Sequence, residues 1–558
     1  GTRVANERTY GPSVGRATPE GASLSRSRVL SDNPYASVRS VGVNGHELFV
    51  PSLGLGRLVE TPAQILATVR TFQDPSVAGA LDPSTRRAFV GGYDFLSDGS
   101  AAVQRALAPL FPDRLTALVS ETWTRQDLAG ALLPASGAPP LIASVNAHFD
   151  HFRALPAAEN AAGTTANLFT TADLGAVSPS PLAGALLFSM GCHSGLSVSD
   201  VAVGLPSADW AQALGARGAT LVGNTGFGYG DTDTVALSER LMAAFAGELS
   251  GEPTIGQALA AAKRRYLAET PAGALSPYDE KVLQQATFYG LPMYRVRGAS
   301  PAPDTTPETT GAFDVDLGDP TAGPSRLTRH VTPRGILYDA DGGTTAVQGR
   351  PVQPRTTLRA GRAGAVAHGA LITALESVDL GAFDPVVFRP AVDLSADEPE
   401  ITSEDAVFPA SIASVTPALA AGDAEQRLVL VAGQFRDPVP GTGIGTQRLF
   451  TRIGGQVLSA APGETDFTPP RIVTTSSAGR ALTVTTDDSA QRVLVLFRPS
   501  AASGRVAWRA LDLARGATAG GVTTWSAGLP ADAPDTVQFV VQAPDAAGNV
   551  GVSTNKGD

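Results

Sequence analysis

The stretch LLFSMGCHSG, residues 186–195, joins an apolar run to the only cysteine of the 558-residue chain. The apolar residues lead into Gly191, Cys192 and His193, a pattern typical of a buried strand that ends in a tight turn. Residues at the carboxyl ends of parallel strands face the crevice where α/β proteins place their sites. The position of Cys192 therefore predicts a parallel sheet and a thiol at its edge.

Short apolar runs alternate with helical periods on both sides of this stretch, from about residue 47 to residue 296. This alternation is typical of an α/β layer with a mostly parallel sheet. Thr61 as N-cap and Pro62 at the first helical position mark one helix start. The predicted strands lie near 88–95, 115–120, 141–146, 184–189 and 220–224, and the predicted helices at 61–72, 98–110, 208–214, 232–247 and 254–268.

Helical periodicity mostly disappears in the C-terminal half, where strand-like runs lie between Gly, Pro and Asp turns. The sequence therefore predicts an α/β domain followed by all-β domains, the last of them an Ig-like β-sandwich. The expected parts are an N-terminal arm (1–30), the α/β domain (31–297), a Pro/Thr/Asp-rich linker (298–327), a β-rich domain (328–464) and the sandwich (465–558).

Composition and charge exclude several functional classes. A net charge of −11 argues against nucleic acid and anionic membranes as main partners. A single cysteine excludes an intrachain disulfide and a multi-cysteine zinc site. No apolar run reaches the ~20 residues that span a membrane. Because the chain opens at Gly1 without Met, we expect a processed piece, and the missing signal peptide carries little weight.

A thiol needs a base or a cationic neighbour, since the thiolate is the nucleophile. Two of the six histidines, His148 and His151, lie at the end of another predicted strand, 44 and 41 residues before Cys192. Two strand ends of one sheet can bring such residues together. His193 is the weaker candidate because neighbouring side chains on extended backbone point to opposite faces. The alternative is that Cys192 is a small buried apolar residue.

Two metal-binding alternatives accompany the thiol hypothesis. The glycine-rich loop 223–233 ends in Asp231 and Asp233, which could hold calcium, form a pocket wall or, for Asp231, cap the next helix. The other alternative uses four ligand-type side chains, His148, Asp150, His151 and Cys192.

Several segments, in this order, resemble the C25 (gingipain-type) branch of the caspase-like cysteine peptidases. They are SDNPYASVRSVGVNGHELFVPSLGLGRLVETPAQI (31–65), FVGGYDFLSDGS (89–100), IASVNAHFDHFRALP (142–156) and LLFSMGCHSG (186–195). The segments at 209–249 and 254–267 also resemble the tail of the related CHAT-type domains. The resemblance covers about half of the chain, roughly residues 31–296.

The resemblance implies a caspase-hemoglobinase fold with a histidine and a cysteine at the ends of neighbouring strands. By position, Cys192 would be the nucleophile, and His148 the base and later the proton donor to the leaving amine. Backbone N–H groups of Cys192 and of Phe149 would form the oxyanion hole. The family usually has glycine where this chain has Phe149, which puts the backbone geometry of that hole in question.

The Arg-specific members recognise a basic P1 side chain through an acidic pocket residue. Asp94 is the candidate here, with a turn or capping role as the alternative, and Asp98 is second, with helix capping as its alternative. Met190 is apolar and supplies no charge to such a pocket. Trp210 could stack on substrate or pack in the core.

These inferences lead to an expected function: a bacterial, extracytoplasmic cysteine endopeptidase acting on proteins or peptides, with no required cofactor beyond structural calcium. Lysine occurs only at positions 263, 281 and 556, which indicates a GC-rich bacterial source. The alternatives are a non-catalytic caspase-like module in a surface or interaction protein, and a metal-dependent hydrolase that uses the HFDH cluster.

Overall fold

The alternating N-terminal pattern and the strand-rich C-terminal pattern fold as separate units. The first comprises Gly1–Tyr266, Ser276–Asp304 and Pro390–Ser395, and the second comprises Leu267–Leu275, Thr305–Arg389 and Ala396–Asp558. The computed structural model describes residues 2–3, 28–38, 40–77, 79–175, 181–197, 208–249, 252–297, 306–309, 311–362, 364–389, 407–416, 426–437, 443–501 and 503–554.

The first unit alternates strands with helices along the chain. Its strands are β1 (Thr2–Arg3), β2 (Arg28–Val29), β3 (Ser40–Val43), β4 (His46–Phe49), β5 (Ala80–Leu81), β6 (Ala88–Gly92), β7 (Leu115–Val119), β8 (Ile142–Asn146), β9 (Arg153–Ala154), β10 (Phe169–Thr170), β11 (Leu186–Phe188), β12 (Thr220–Asn224), β13 (Ala286–Tyr289) and β14 (Arg295–Val296). Its helices are α1 (Asn33–Ala36), α2 (Pro62–Gln73), α3 (Ser97–Leu107), α4 (Arg125–Leu132), α5 (Ala157–Ala162), α6 (Trp210–Gly215), α7 (Leu237–Glu248), α8 (Ile255–Ala268, which ends in the second unit) and α9 (Pro277–Gln285).

The central sheet of this unit has, within the described residues, six strands in the order β13-β12-β11-β8-β6-β7. All neighbours pair in parallel except β13, which runs antiparallel to β12. Every residue of β6, β8, β11 and β12 is buried, as expected for parallel strands that are covered on both faces. The predicted mixed α/β character of this half is confirmed.

A local capping signal places the start of one predicted helix, and two other predicted caps are not observed. Thr61 caps α2 and forms a capping box with Gln64, as the Thr61–Pro62 pair predicts. The prediction that Asp98 caps the following helix is wrong, because α3 begins at Ser97 and Asp98 lies inside its first turn. Its carboxylate accepts the N–H of Gly99 instead. Asp231 does not cap α7, whose N-cap is Ala236.

The second unit is built from strands in its described residues. They are β15 (Ala312–Asp316), β16 (Leu327–Thr332), β17 (Gly335–Ala340), β18 (Thr344–Thr345), β19 (Gln353–Arg359), β20 (Val366–Phe383), β21 (Ala413–Val415), β22 (Arg427–Val431), β23 (Gly433–Arg436), β24 (Gly445–Ala460), β25 (Ile472–Ala478), β26 (Ala481–Asp487), β27 (Leu494–Pro499), β28 (Val506–Ala507), β29 (Arg509–Asp512), β30 (Ala514–Ala519), β31 (Val522–Gly528), β32 (Val537–Pro544) and β33 (Val550–Ser553).

The long antiparallel pair β20–β24 forms the centre of a sheet in the N-terminal part of this unit. Further along the chain, two four-stranded sheets, β25-β26-β31-β30 and β29-β27-β32-β33, share one apolar core. That core includes Val484 and Trp525 from the first sheet and Phe497 and Val541 from the second. The Ig-like assignment of this region, and a domain boundary at residue 465, stay predictions.

The predicted linker 298–327 needs correction, because Ala312–Asp316 forms β15 and pairs with β24. Its alternation of exposed acids with buried Phe313 and Val315 is a strand pattern inside a Pro/Thr/Asp-rich composition. Most of the predicted arm 1–30 lies outside the described residues. In the part of the chain that the structure describes, no helix is both long and apolar enough to cross a membrane.

Candidate functional site

The candidate residues His148 and Cys192 follow neighbouring parallel strands at the same level. In the β8–β11 ladder, Ser144 is paired with Phe188. His148 and Cys192 each lie four residues past this pair, at the carboxyl end of the sheet. The pairing of β8 with β11 thus brings two segments that are distant in sequence to one edge of the sheet.

The turns that carry these two residues touch directly. Gly191 lies against the ring of Phe149. A Cβ atom at position 191 would lie 2.8 Å from the carbonyl oxygen of Ala147. A side chain at position 191 would collide with both. Glycine before Cys192 therefore allows the cysteine turn to pack against the histidine turn.

Two asparagines that the sequence analysis missed hold the strand before Cys192. The side chain of Asn146, at the end of β8, accepts the N–H of Met190 at 3.2 Å. Asn224, at the end of β12, donates its amide to the Met190 carbonyl at 2.8 Å. Both asparagines are buried. The signal in the sequence is an apolar strand that ends in Asn, in both IASVN and TLVGN.

Cys192 is partly exposed, and its thiol donates to the carbonyl of Gly228 with a sulfur–oxygen distance of 3.9 Å. Gly228 packs on the Met190 carbonyl, so the glycine-rich loop 223–233 forms one wall beside the thiol. The neighbouring His193 is buried, and its backbone N–H donates to the Gly226 carbonyl at 2.7 Å. Burial lowers the pKa of His193 to about 3, so this imidazole is neutral at physiological pH.

His148 is exposed and lies between aromatic rings at the end of β6. Its ring centroid is 5.3 Å from that of Tyr93 and 6.3 Å from that of Phe95. The backbone N–H of His148 donates to the Tyr93 hydroxyl at 3.0 Å, and this hydroxyl donates to the Leu155 carbonyl at 2.7 Å. Desolvation lowers the pKa of His148, and the negative charge of Glu121 opposes this effect.

Asp94, the predicted P1-binding residue, is exposed at the carboxyl end of β6. Its backbone N–H donates to the Glu121 carboxylate at 2.9 Å. Glu121 was missed by the sequence analysis because a single acidic residue after a strand has no motif around it. The structure places both acids at the sheet edge that also carries His148.

The second histidine of the HFDH segment has a different environment. His151 is buried, its carbonyl accepts the N–H of Trp210, and burial lowers its pKa. Trp210 is 5% exposed, donates to the Asp150 carbonyl at 2.9 Å and stacks on Phe169. This burial favours core packing of Trp210 over contact with a substrate.

The backbone N–H of Phe149 has no acceptor among the described residues. Phe149 and Ala154 form an antiparallel bridge. The two hydrogen bonds of this bridge are made by the carbonyl of His148 and the N–H of Asp150, so neither uses the N–H of Phe149. The Phe149 ring packs on Gly191, and its centroid lies 5.4 Å from that of Trp210.

The acids of loop 223–233 lie near two further carboxylates. Asp231 is buried; its N–H donates to Glu239 at 3.1 Å, and Asp233 donates its N–H to Asp231 at 2.9 Å. Burial, with the charges of Asp231 and Asp233, raises the pKa of Asp98 to about 6. Burial and the charge of Asp98 raise the pKa of Glu239 well above its usual range. Within the described ranges, no group of three or more His, Cys, Asp or Glu side chains is arranged to hold a metal ion.

Gly191→Ala is expected to lower the free energy of unfolding by about 1–3 kcal/mol, because the new methyl group would overpack the contact with Phe149 and Ala147. Calorimetric unfolding of the full chain measures this change. Gly247→Ala is the control, since nothing lies within 4 Å of its Cβ position in α7, and it is expected to stabilise by about 0.5–1 kcal/mol. Equal stability of Gly191→Ala and the unmodified protein would contradict the packing described.

Comparisons with known proteins give partial likenesses among solved structures. No protein-family profile matches the chain, and no curated protein matches it. Among solved structures, the crystal structure of the Saccharomyces cerevisiae separase–securin complex is similar over 44% of this chain, at 13% identity and a TM-score of 0.27. The similar region spans 14% of that chain.

Proposed function

We propose that the first unit is a caspase-like cysteine peptidase domain of the C25 type, and that the chain hydrolyses peptide bonds in proteins or peptides. The observation that carries the proposal is the strand register: Ser144 pairs with Phe188, and His148 and Cys192 each lie four residues beyond this pair, at the same edge of the sheet. The contact between Gly191 and Phe149 supports it, because it joins the two turns.

In the proposed reaction, His148 takes the proton of the Cys192 thiol, and the thiolate attacks the scissile carbonyl carbon. A tetrahedral intermediate forms and collapses to a thioacyl-enzyme, while the imidazolium of His148 gives its proton to the leaving amine. Water then attacks the thioester with His148 as base, which releases the acid and restores the thiol. The lowered pKa of His148 favours the neutral imidazole, the form that a base requires.

The oxyanion of the intermediate would be stabilised by the backbone N–H groups of Cys192 and Phe149. This assignment is supported by the N–H of Phe149, for which the described part of the chain supplies no acceptor. Donors that are fixed before the reaction stabilise the developing charge without reorganisation. Glycine at position 149 is therefore not a requirement of the proposal, since phenylalanine supplies the same N–H group.

A preference for Arg or Lys at P1 is part of the proposal, with Asp94 as the acid that contacts the basic group. Asp94→Ala is expected to lower kcat/KM for an Arg ester by about tenfold to a hundredfold, the loss of one charge-assisted hydrogen bond. Turnover of a Leu ester by the same variant is the internal control. If Arg-ester turnover is unchanged in Asp94→Ala, the pocket assignment is wrong.

A thiol-directed acyl-arginine or acyl-lysine trap, followed by intact mass, tests the proposed function. Labelling is expected in the unmodified protein, none in Cys192→Ala, and slow labelling in His148→Ala. Labelling of His148→Ala at the unmodified rate would contradict the dyad. Activity that a chelator abolishes but Cys192→Ala retains would favour a metal hydrolase, and no labelling under any condition, calcium included, would favour a non-catalytic module.

Three further expectations stay proposals. We propose an extracytoplasmic location in a bacterium, and Ig-like β-domains that brace the peptidase domain or bind a surface. Calcium at Asp231 and Asp233 also stays a proposal; a calcium titration of the unfolding midpoint tests it. No step of the proposed reaction uses a metal ion.

A further inference from the structure

Four chemically active residues lie at one level along the sheet edge. In the three-strand ladder β7–β6–β8, Val119, Gly92 and Asn146 are in register. Glu121, Asp94 and His148 each lie two residues past these positions. Cys192 reaches the same level by the pairing of β11 with β8. Glu121 is the member to which the proposed reaction assigns no role.

Glu121 fixes the turn that surrounds His148. Its carboxylate accepts the Asp94 N–H at 2.9 Å, and Asp94 lies between Tyr93 and Phe95, whose rings flank the imidazole. The turn Asp94–Leu96 is a single 3-10 segment with no side-chain cap at its start. The bond from Asp94 to Glu121 therefore ties this turn to the end of β7.

We infer that Glu121 is a positioning residue for His148: its carboxylate holds the flanking turn and its charge stabilises the imidazolium that forms when Cys192 gives up its proton. The inference rests on the proposed function of His148 as the base. It adds a charged group from β7 to a site otherwise built on β6, β8 and β11. A negative charge beside the imidazolium favours the ion pair of His148 with the Cys192 thiolate.

The ionisable groups around His148 come from each neighbouring strand end. They are Tyr93 and Asp94 after β6, Glu121 after β7 and Cys192 after β11. On the histidine's own segment, Asp150 pairs with Arg153 at 2.5 Å, which offsets its charge. Burial keeps Tyr93 protonated by raising its pKa. Among these groups, Glu121 is the one whose negative charge raises the pKa of His148 and so favours the imidazolium.

Glu121→Gln separates charge from hydrogen bonding, because the amide oxygen still accepts the Asp94 N–H while the negative charge is lost. The expected result is a lower pH midpoint for the His148 ring in an NMR titration. At a fixed pH, the ratio of imidazolium to imidazole falls about threefold to tenfold. His148→Ala identifies the signal among the six histidines. The titration needs no catalysis, so its result is independent of whether the chain is a peptidase.

Two controls keep the test decisive. Asp82→Asn removes the same charge before β6, at the amino end of the strands, and leaves the His148 midpoint unchanged. Glu121→Ala removes charge and hydrogen bond, and lowers the unfolding midpoint where Glu121→Gln does not. An unchanged His148 titration in Glu121→Gln overturns the inference. A shifted titration together with normal Cys192 reactivity in His148→Ala supports the pairing of Glu121 with His148 and contradicts the proposed function instead.

Discussion

His148→Ala is expected to lower kcat for peptide hydrolysis by about 10²–10⁴, the usual contribution of a positioned general acid–base group. The exposed imidazole at the level of Cys192 is the base in the proposed reaction, and the buried His151 and His193 have no comparable access to substrate. Steady-state hydrolysis of a fluorogenic Arg peptide measures the loss.

His330→Ala is the matched control for this prediction. His330 is also exposed and pairs with Asp339, but it belongs to the second unit. Its removal is expected to leave kcat unchanged. A His148→Ala variant that keeps its activity while Cys192→Ala loses it would exclude His148 as the base and leave the thiol without an assigned partner.

Asp379→Ala is expected to produce the largest loss of stability, about 3–5 kcal/mol, because it leaves two buried guanidinium groups without their carboxylate. Asp379 on β20 accepts from Arg448 at 2.9 Å and from Arg498 at 3.0 Å. The side chain of Arg498 is completely buried on β27. The loss falls on the second unit, and hydrogen exchange in peptides from β20 and β27 measures it.

Asp314→Ala supplies the matched control, since Asp314 and Arg452 form an exposed ion pair in the same unit. Its cost is expected to be about 0–1 kcal/mol. Equal exchange rates in the two variants would contradict the role of the Asp379 cluster. Burial alone would raise the pKa of Asp379, but the two arginines lower it. The contribution of ionised Asp379 to the free energy of unfolding is therefore present above the ordinary Asp pKa of about 3.9. It is lost as the pH falls through the lower pKa that Asp379 has in the folded protein.

The same cluster links the region predicted as a β-rich domain to the region predicted as a sandwich. Ser377 on β20 accepts from Arg498 at 2.8 Å and from Trp508 at 2.9 Å. Gln542 on β32 exchanges two hydrogen bonds with the backbone of Ile372. Buried polar contacts between distant segments depend on how two sheets pack, and no local pattern in the sequence carries that information.

Local signals predicted the elements of the first unit well. The strand over 220–224 and the helix start at Pro62 are confirmed to the residue, since buried apolar runs and a Thr–Pro cap act within a few positions. The helix predicted from residue 232 begins instead at Leu237, because the loop acids make contacts with Glu239 that a sequence pattern does not reveal. Strand β15 was hidden by its linker-like composition.

Some residues of the candidate site could likewise be predicted from local sequence, and others could not. Cys192 and His148 could be proposed from sequence because each follows an apolar strand, and the strand pairing now places them at one level. Asn146, Asn224 and Glu121 could not, because their hydrogen-bond partners lie 27 to 44 residues away in the chain, on or next to neighbouring strands. Strand register, rather than motif, defines this part of the site.

The pH dependence of Cys192 alkylation tests the central claim most directly, because the chain has only one cysteine to label. With His148 in place, the thiolate is expected to persist well below the ordinary thiol pKa of about 8.5. In His148→Ala, the alkylation profile is expected to move up towards that value. Identical profiles for the two proteins would contradict the pairing of Cys192 with His148, on which the proposed function rests.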